Sequence, residues 1–358
     1  MPEHVDAIRW HIEETDNQIM DLIGQRMRLA KEMGQHKLGK GIPVRNQRVE
    51  DQVMARFASR AKQADVSEEA ARKIAKILLH ESEDAQFRMP RGDPKRITVI
   101  GGSGKMGAWL CRFFDSQGHK VLVNDIVSST SFPYENDLKR AVSQADVIVI
   151  STPIDTAKDM LDKVLALKPK GLVMDVISIK APLIVSLRAA AEKGTKVCSL
   201  HPMFGPDTTS LIYQNLLVCE CGSKEGVAEA HSLFEGTGAE LHDVSVEEHD
   251  RLMSYVLGMS HALNIAFFNA LVKSGLSIKE LDDAASTTFR HQRCTSRRVA
   301  NENPELYYQI QHVNPHSKET LDLLVRSLEE IRAAATAGES DDFVRIMEQG
   351  RAYYGGSE

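Results

Sequence analysis

The sequence predicts a multidomain chain: an all-α three-helix domain, then a doubly wound α/β domain, then a second all-α domain. Three observations predict this order. Apolar residues recur at helical spacing from Val5 to Met33, with no proline to break the run. From Ile97 onward, short β-type runs alternate with helical stretches, the pattern of a parallel sheet. Helical periodicity returns at about Val246 and holds to the end. The boundaries fall at 1–90, a hinge at 91–95, 96–245 and 246–358.

Val5, Ile8, Ile12, Ile19, Leu22, Ile23, Leu29, Ala30 and Met33 lay one apolar stripe along a long first helix, which Gly39, Gly41 and Pro43 end. A second helix runs from about Asn46 to Gln63. Ser67 before Glu68 and Glu69 reads as the N-cap of a third, which carries Ile74, Ile77 and Leu78 toward Phe87. The basic Pro/Gly segment RMPRGDPK at 88–95 interrupts the pattern. Strands follow at Ile97–Ile100, Val121–Val123, Val147–Ile150 and Leu172–Asp175, with a helix at Ala108–Ser116 between the first two. In the last domain, Leu257 to Leu271 is too apolar for a surface helix and reads as buried or subunit-facing.

Composition narrows the function classes. With 42% hydrophobic and 26% charged residues over 358, the chain reads as a soluble globular protein. A net charge of −6 gives no global pull toward nucleic acid, so an anionic substrate needs local cations. No apolar run approaches the ~18–20 residues that span a bilayer, so no membrane contact is expected. The acidic N-terminus MPEHVDAIRWHIEETD lacks the apolar core of a secretory signal. Five cysteines, an odd and low count, point to a reducing cytoplasm. Cys219 and Cys221 have no second pair to complete a zinc site, so no metal is expected. The chain stops soon after its last helices, at RAYYGGSE, which leaves no room for an appended amino-acid-sensing domain.

Residues 101–107 read GGSGKMG, and Gly102, Gly104 and Gly107 satisfy G-x-G-x-x-G between a strand and a helix. The first glycine permits the tight turn, the second admits a pyrophosphate to the backbone, and the third lets helix and strand pack closely. Ser103, Lys105 and Met106 complete the cofactor loop, and the helix N-terminus favours phosphate charge. Asp125 closes the second strand, where a carboxylate accepts ribose hydroxyls and repels a 2′-phosphate. The site is therefore read as a Rossmann site for NAD rather than NADP. A mononucleotide or flavin site, or a glycine turn used only for packing, are the alternatives.

Beyond that motif, the segments ITVIGGSGKMG, STPID (151–155), DVISIK (175–180), SLHPMFGPD (199–207), EEHDRLMSYVLGMSH (247–261) and FRHQRCTSRRVANENPELY (289–307) strongly resemble prephenate dehydrogenase. The resemblance implies hydride transfer from the C4 of prephenate to NAD, proton removal from the C4 hydroxyl and loss of the ring carboxylate as CO2. A base near neutral pKa suits histidine, and by resemblance that base is His201, which is read as a loop position. Ser178 positions hydroxyl and base, Lys180 lies nearby, Arg298 grips a substrate carboxylate and Arg290 supports it. His249 and His261 match histidines near nicotinamide and substrate, and Ser151 and Pro153 belong to the cofactor site. Taken without the motif, Arg290, Arg293, Arg297 and Arg298 would read as a solvated helix face, Ser178 as a helix cap and His201 as a surface residue.

The first 90 residues resemble the all-helical chorismate mutases. Their pericyclic rearrangement needs no nucleophile or metal, only a cage that folds a dicarboxylate and stabilises charge on the breaking ether oxygen. The resemblance assigns Arg9 and Arg26 to the carboxylates, Lys37 and Gln86 to the ether oxygen and Glu50 to the substrate hydroxyl, with Ser82 a further binding residue. Arg26 and Lys37, eleven residues apart, lie within about 20° of one helix face. Arg9 lies about 25 Å along the axis from Arg26, beyond reach of the same site unless two first helices pair antiparallel. A homodimer is therefore expected, with Arg9 lent by the partner. Val49 stands where the family often carries arginine, and Asn46 where it carries aspartate. Together the resemblances imply a bifunctional enzyme taking chorismate to prephenate and on to 4-hydroxyphenylpyruvate. The alternatives are an arogenate dehydrogenase with a weak or inactive mutase domain, and a non-catalytic NAD-binding regulatory protein.

Overall fold

The computed structural model describes residues 2–128 and 131–355. The last residues of RAYYGGSE, 356–358, lie outside it. The chain forms two compact units: 1–152, 159–176 and 187–244 make one, and 153–158, 177–186 and 245–358 the other.

The first unit begins with helices α1 (Pro2–Gly39), α2 (Gln47–Gln63) and α3 (Glu68–Phe87). Asn46 caps α2 by accepting from Val49 N, and Ser67 caps α3 by accepting from Ala70 N. Asn46 thus serves the helix start, and Val49 is exposed. Gly34 allows α1 and α3 to approach: a Cβ there would lie 2.7 Å from the Gln86 side chain and 2.8 Å from Met89. The apolar stripe of α1 is not covered within the chain. Ile12, Leu22, Leu29 and Met33 are 52–64% exposed, although burying such a side chain is worth about 1.5–3 kcal/mol.

A seven-stranded sheet follows, in the order β2-β1-β3-β4-β5-β6-β7. Its strands are β1 (Arg96–Ile100), β2 (Lys120–Asn124), β3 (Val147–Ile150), β4 (Leu172–Asp175), β5 (Val197–Pro202), β6 (Asn215–Glu220) and β7 (Glu240–Ser245). The first five are parallel, and β6 turns antiparallel to β5. Near-continuous Val/Ile runs such as Val147–Ile150 are buried throughout, as expected of strands covered on both faces. The covering helices are α4 (Lys105–Ser116), α5 (Leu138–Ser143), α6 (Ile154–Ala166), α7 (Ile184–Glu192) and α8 (Lys224–Phe234). Strand order reverses between β1 and β3, and crevices for ligands open at such a switch point, outside the carboxyl ends of the strands.

In the second unit, α9 (Val246–Met253), a π-helical turn (Ser254–Met259) and α10 (Ser260–Ser274) run on as one 29-residue helix. Gln311 Nε2 donates to Gly258 O at 2.7 Å, satisfying a carbonyl where the ladder is disturbed. This helix corrects one expectation: an 18-residue window within it has a mean hydropathy of 1.4, so it is long and apolar enough, by length and composition, to cross a bilayer. Only 11% of that window is buried among the described residues, so the buried reading of Leu257–Leu271, one of the two the sequence offered, does not hold. Helices α11 (Ile278–Asp283), α12 (Thr287–Ala300), α13 (Pro304–Val313), α14 (Ser317–Thr336) and α15 (Asp341–Gly355) complete the unit.

Candidate functional site

The glycine loop is built for close approach. Gly101 has φ +83°, and a Cβ there would lie 2.4 Å from Ser151 O, just beyond β3. At Gly107 a Cβ would meet Gly101 O at 2.1 Å, so α4 can pack on β1 only through glycine. Gly104 is the N-cap of α4 and offers no side-chain cap, leaving the first-turn amides to other acceptors. Thr152 Oγ1, next to Ser151, is buried without a hydrogen-bond partner among the described residues. Asp125 follows β2 directly and accepts from Ser103 N at 2.9 Å and Val127 N at 3.1 Å, so it lies against Ser103 of the predicted loop. A cradle that a Cβ would fill, an uncapped helix start and a carboxylate beside them fit a dinucleotide. Lys105 and Met106 open α4, and Pro153 belongs to the second unit.

His201 is not a loop residue. It lies in β5, opposite Leu217 of β6, and is 4% exposed. The loop begins beyond Pro202, so the strand fixes the position of the imidazole.

In the second unit, Ser178 is half-buried, Lys180 is fully buried, and both precede α7. Asp250 Oδ1 accepts from Lys180 N at 2.8 Å, and Oδ2 accepts from Ala181 N at 2.7 Å. His249, also fully buried, shares a 2.7 Å hydrogen bond through Nδ1 with Asp250 Oδ1. Burial works against the Asp250 charge, but His249 and the two amides outweigh it and hold the carboxyl below its usual range. His261 stacks on Tyr307 with ring centroids 4.1 Å apart, and its Nδ1 is buried without a partner among the described residues. Burial holds this imidazole neutral, with its pKa lowered to about 4. Tyr307 is raised chiefly by burial, while the Arg298 guanidinium pulls the other way, so Arg298, Tyr307 and His261 form one neighbourhood. Arg290 and Arg298 are both exposed on α12. Arg293 is taken by Asp282 at 3.0 Å, which removes it from the arginines open to substrate.

Of the residues expected for the mutase, Arg26 of α1 meets Ser82 and the neighbouring Gln86 of α3. Arg26 donates to Leu78 O at 2.5 Å and to Ser82 Oγ; burial, then Arg56, lowers its pKa. Gln86 is buried one turn beyond Ser82, with Nε2 on Ser82 O at 3.0 Å and Oε1 unpartnered among the described residues. Lys37 Nζ donates to Val44 O at 2.5 Å. Glu50 on α2 faces Glu83 of α3, whose carboxyl is raised first by burial and next by Glu50, against the pull of Arg45. Arg9 is distant and exposed, ion-paired to Asp6 at 3.3 Å.

Sequence reading missed Gly101, Asp250, Tyr307, Arg45 and Glu83. The doubled glycine and the HD pair in EEHD were the available signals for Gly101 and Asp250. Arg45 and Glu83 carried none, because their pairing at 3.4 Å joins a loop to α3. A cavity of about 490 Å³ between α3, α4 and the 206–211 loop contains none of the predicted site residues, so chemistry rather than volume marks the sites.

Comparison with known proteins agrees with both halves. Residues 8–87 match the family described as chorismate mutase type II, 127–242 the nucleotide-binding domain of prephenate dehydrogenase, and 245–349 its dimerization domain. The chain is 27% identical over 318 residues to a T-protein of Enterobacter agglomerans, covering 87% of this chain and 82% of that one. It is 26% identical over 271 residues to a probable arogenate/prephenate dehydrogenase of Methanocaldococcus jannaschii, covering 72% of this chain but only 61% of that relative's length. A chorismate mutase of the same organism is 34% identical over 86 residues, 24% of this chain and 87% of that protein. Among solved structures, the prephenate dehydrogenase of A. aeolicus in complex with hydroxyphenyl propionate and NAD+ shares the fold, with a TM-score of 0.59 at 17% identity over 74% of this chain and 99% of that one. The chain belongs to the type II chorismate mutases through its N-terminal helices, which it joins in one polypeptide to both domains of a prephenate dehydrogenase.

Proposed function

We propose that the chain is a bifunctional, cytoplasmic, homodimeric enzyme of tyrosine biosynthesis. It rearranges chorismate to prephenate and then oxidises and decarboxylates prephenate to 4-hydroxyphenylpyruvate with NAD. The observation that carries this reading is the succession, on one chain, of a mutase match at 8–87 and a dehydrogenase match from 127 to 349. The working domains are 1–90, 96–245 and 246–358, with the hinge at 91–95.

In the mutase, Arg26 and the partner's lent Arg9 bind the carboxylates, with Ser82 holding Arg26 in place. Lys37 and Gln86 stabilise charge on the ether oxygen as the bond breaks, and Glu50 accepts the substrate hydroxyl. The uncovered α1 stripe supports the pairing of two first helices that brings Arg9 to the site.

In the dehydrogenase, the Gly102–Gly107 loop, Ser151, Pro153 and Asp125 would hold NAD, which accepts the C4 hydride when bound. His201 takes the proton of the C4 hydroxyl, with Ser178 orienting that hydroxyl. Arg298, supported by Arg290, binds a substrate carboxylate, and Lys180, His249 and His261 are further substrate-binding residues. His261, held neutral, acts there as a hydrogen-bonding group rather than a cation. Loss of the ring carboxylate as CO2 gives an aromatic ring and makes the step irreversible.

A second reading, oxidation of arogenate, is favoured by the naming of the Methanocaldococcus jannaschii relative, which covers either substrate. Prephenate and arogenate differ only at the side chain, as keto acid and amino acid. Parallel NADH-formation assays on the two substrates decide between them; a higher kcat/KM on prephenate supports the first reading, and the opposite ranking installs the second.

A further inference from the structure

We propose that Asp250 is a positioning residue of the dehydrogenase, fixing which ring nitrogen of His249 carries the proton. The proposal rests on the dehydrogenase reading above and adds to it a residue that reading leaves without a role.

The geometry is specific. His249 and Asp250 are consecutive on α9, and neighbours on a helix diverge by about 100°, so helical spacing does not by itself bring them together. Both side chains nevertheless meet at 2.7 Å in a fully buried setting. The carboxylate sits between three donors: His249 Nδ1 and Lys180 N on Oδ1, and Ala181 N on Oδ2, with Lys180 N also 3.1 Å from Oδ2. Asn314 Nδ2 donates to the Asp250 carbonyl at 2.8 Å, tying the same residue to the turn before α14. Backbone amides can only donate, so they fix the carboxylate as an acceptor on every side. The ring must then present Nδ1 as N–H, so that whenever the imidazole is neutral its lone pair is on Nε2. One buried carboxylate therefore sets the tautomer of His249 and anchors the Lys180–Ala181 segment that follows Ser178.

Substitution by asparagine separates these two duties. The amides of Lys180 and Ala181 cannot become acceptors, so the asparagine oxygen takes the place of Oδ2, keeping Ala181 N at 2.7 Å and Lys180 N through its 3.1 Å contact while giving up the 2.8 Å bond from Lys180 N to Oδ1. Its NH2 group then faces His249 Nδ1. The ring can adapt only by moving its proton to Nε2, so Asp250→Asn preserves the fold while inverting the tautomer. An orienting carboxylate lost in this way costs on the order of 10²-fold in turnover or more.

The test is selective ¹⁵N-histidine NMR on the full-length protein, with the His249 signals assigned by their disappearance in His249→Asn. The parent is expected to carry the proton on Nδ1, and Asp250→Asn on Nε2. An unprotonated Nδ1 in the parent, or the same pattern in parent and variant, overturns the proposal, and this readout needs no activity. Kinetics supply the second arm. Asp250→Asn should lower dehydrogenase turnover on the order of 10²-fold with mutase activity intact, yet add less than about twofold to the loss in a His249→Asn background. Losses that multiply in the double variant would mean that Asp250 does not act through His249. A parent that fails to oxidise prephenate would instead sink the proposed function and leave the NMR result to judge Asp250 alone.

Discussion

In the sheet domain, Gly101 and Gly107 stand where a Cβ would meet backbone oxygen at 2.4 and 2.1 Å, so the glycine turn of the cofactor cradle is shaped by the chain's own backbone. In the helical domain, Arg26 and Ser82 are already bonded while Arg9 stands in solvent beside Asp6. The first site is made by main chain over a few consecutive residues. The second is made by long side chains projected from separate helices, and in the proposed dimer its last member, Arg9, is lent by the partner. A site of the first kind tolerates almost no substitution in its glycines but needs no partner; a site of the second kind can be taken apart and put back together.

The sharpest break in that comparison is His201→Asn. Removing a general base costs about 10² to 10⁴ in rate, so steady-state dehydrogenase turnover should fall by that factor while mutase activity survives. Near-normal turnover would pass the base role to His249 or His261. Next come Arg9→Ala and Arg26→Ala, each of which should nearly abolish mutase activity. Mixed and re-assembled, the two variants should regain up to about a quarter of the sites, because a hybrid dimer keeps one site with both arginines. No recovery despite demonstrated subunit exchange would refute the lent arginine. Arg298→Ala should raise the Michaelis constant for prephenate about 10- to 100-fold with a smaller change in turnover, the mark of lost ground-state binding by a charged hydrogen bond. A matching fall in turnover would place Arg298 at the reacting atoms instead.

The smallest effect concerns pH. His261 has its pKa lowered from 6.5 to about 4 by burial. The unfolded chain therefore takes up this proton first as pH falls, so its contribution is present above pH 6.5 and lost progressively toward pH 4. His261→Gln should lose less stability across that window than the parent, read as urea midpoints at its two ends. Equal losses would mean that another group carries the acid sensitivity.

Legibility in the sequence followed the same division. Strand runs and the glycine loop depend on neighbours in the chain, and they stand where periodicity and spacing put them. The three N-terminal helices were equally readable, since Asn46 and Ser67 mark their starts locally. His201 reads as a loop residue in the sequence, yet pairing with β6 carries β5 through Pro202. Leu257 to Leu271 reads as helical in the sequence, but its continuity over the 29 residues Val246–Ser274 does not, because scattered polar residues break the apolar run while a π-turn keeps the helix continuous. Asp250 was missed for a different reason: the HD pair marks the residue, but its partners are the amides of Lys180 and Ala181, about seventy residues away in the chain.

The central claim is that two activities act in series on one chain, and the most direct measurement is a coupled assay starting from chorismate and NAD. The account predicts NADH formation after a lag as prephenate builds up. Arg26→Ala should abolish the signal from chorismate but not from added prephenate, and His201→Asn should abolish both while prephenate accumulates. Absence of NADH from either substrate, with NAD bound, would contradict the account and leave a non-catalytic nucleotide-binding protein in its place.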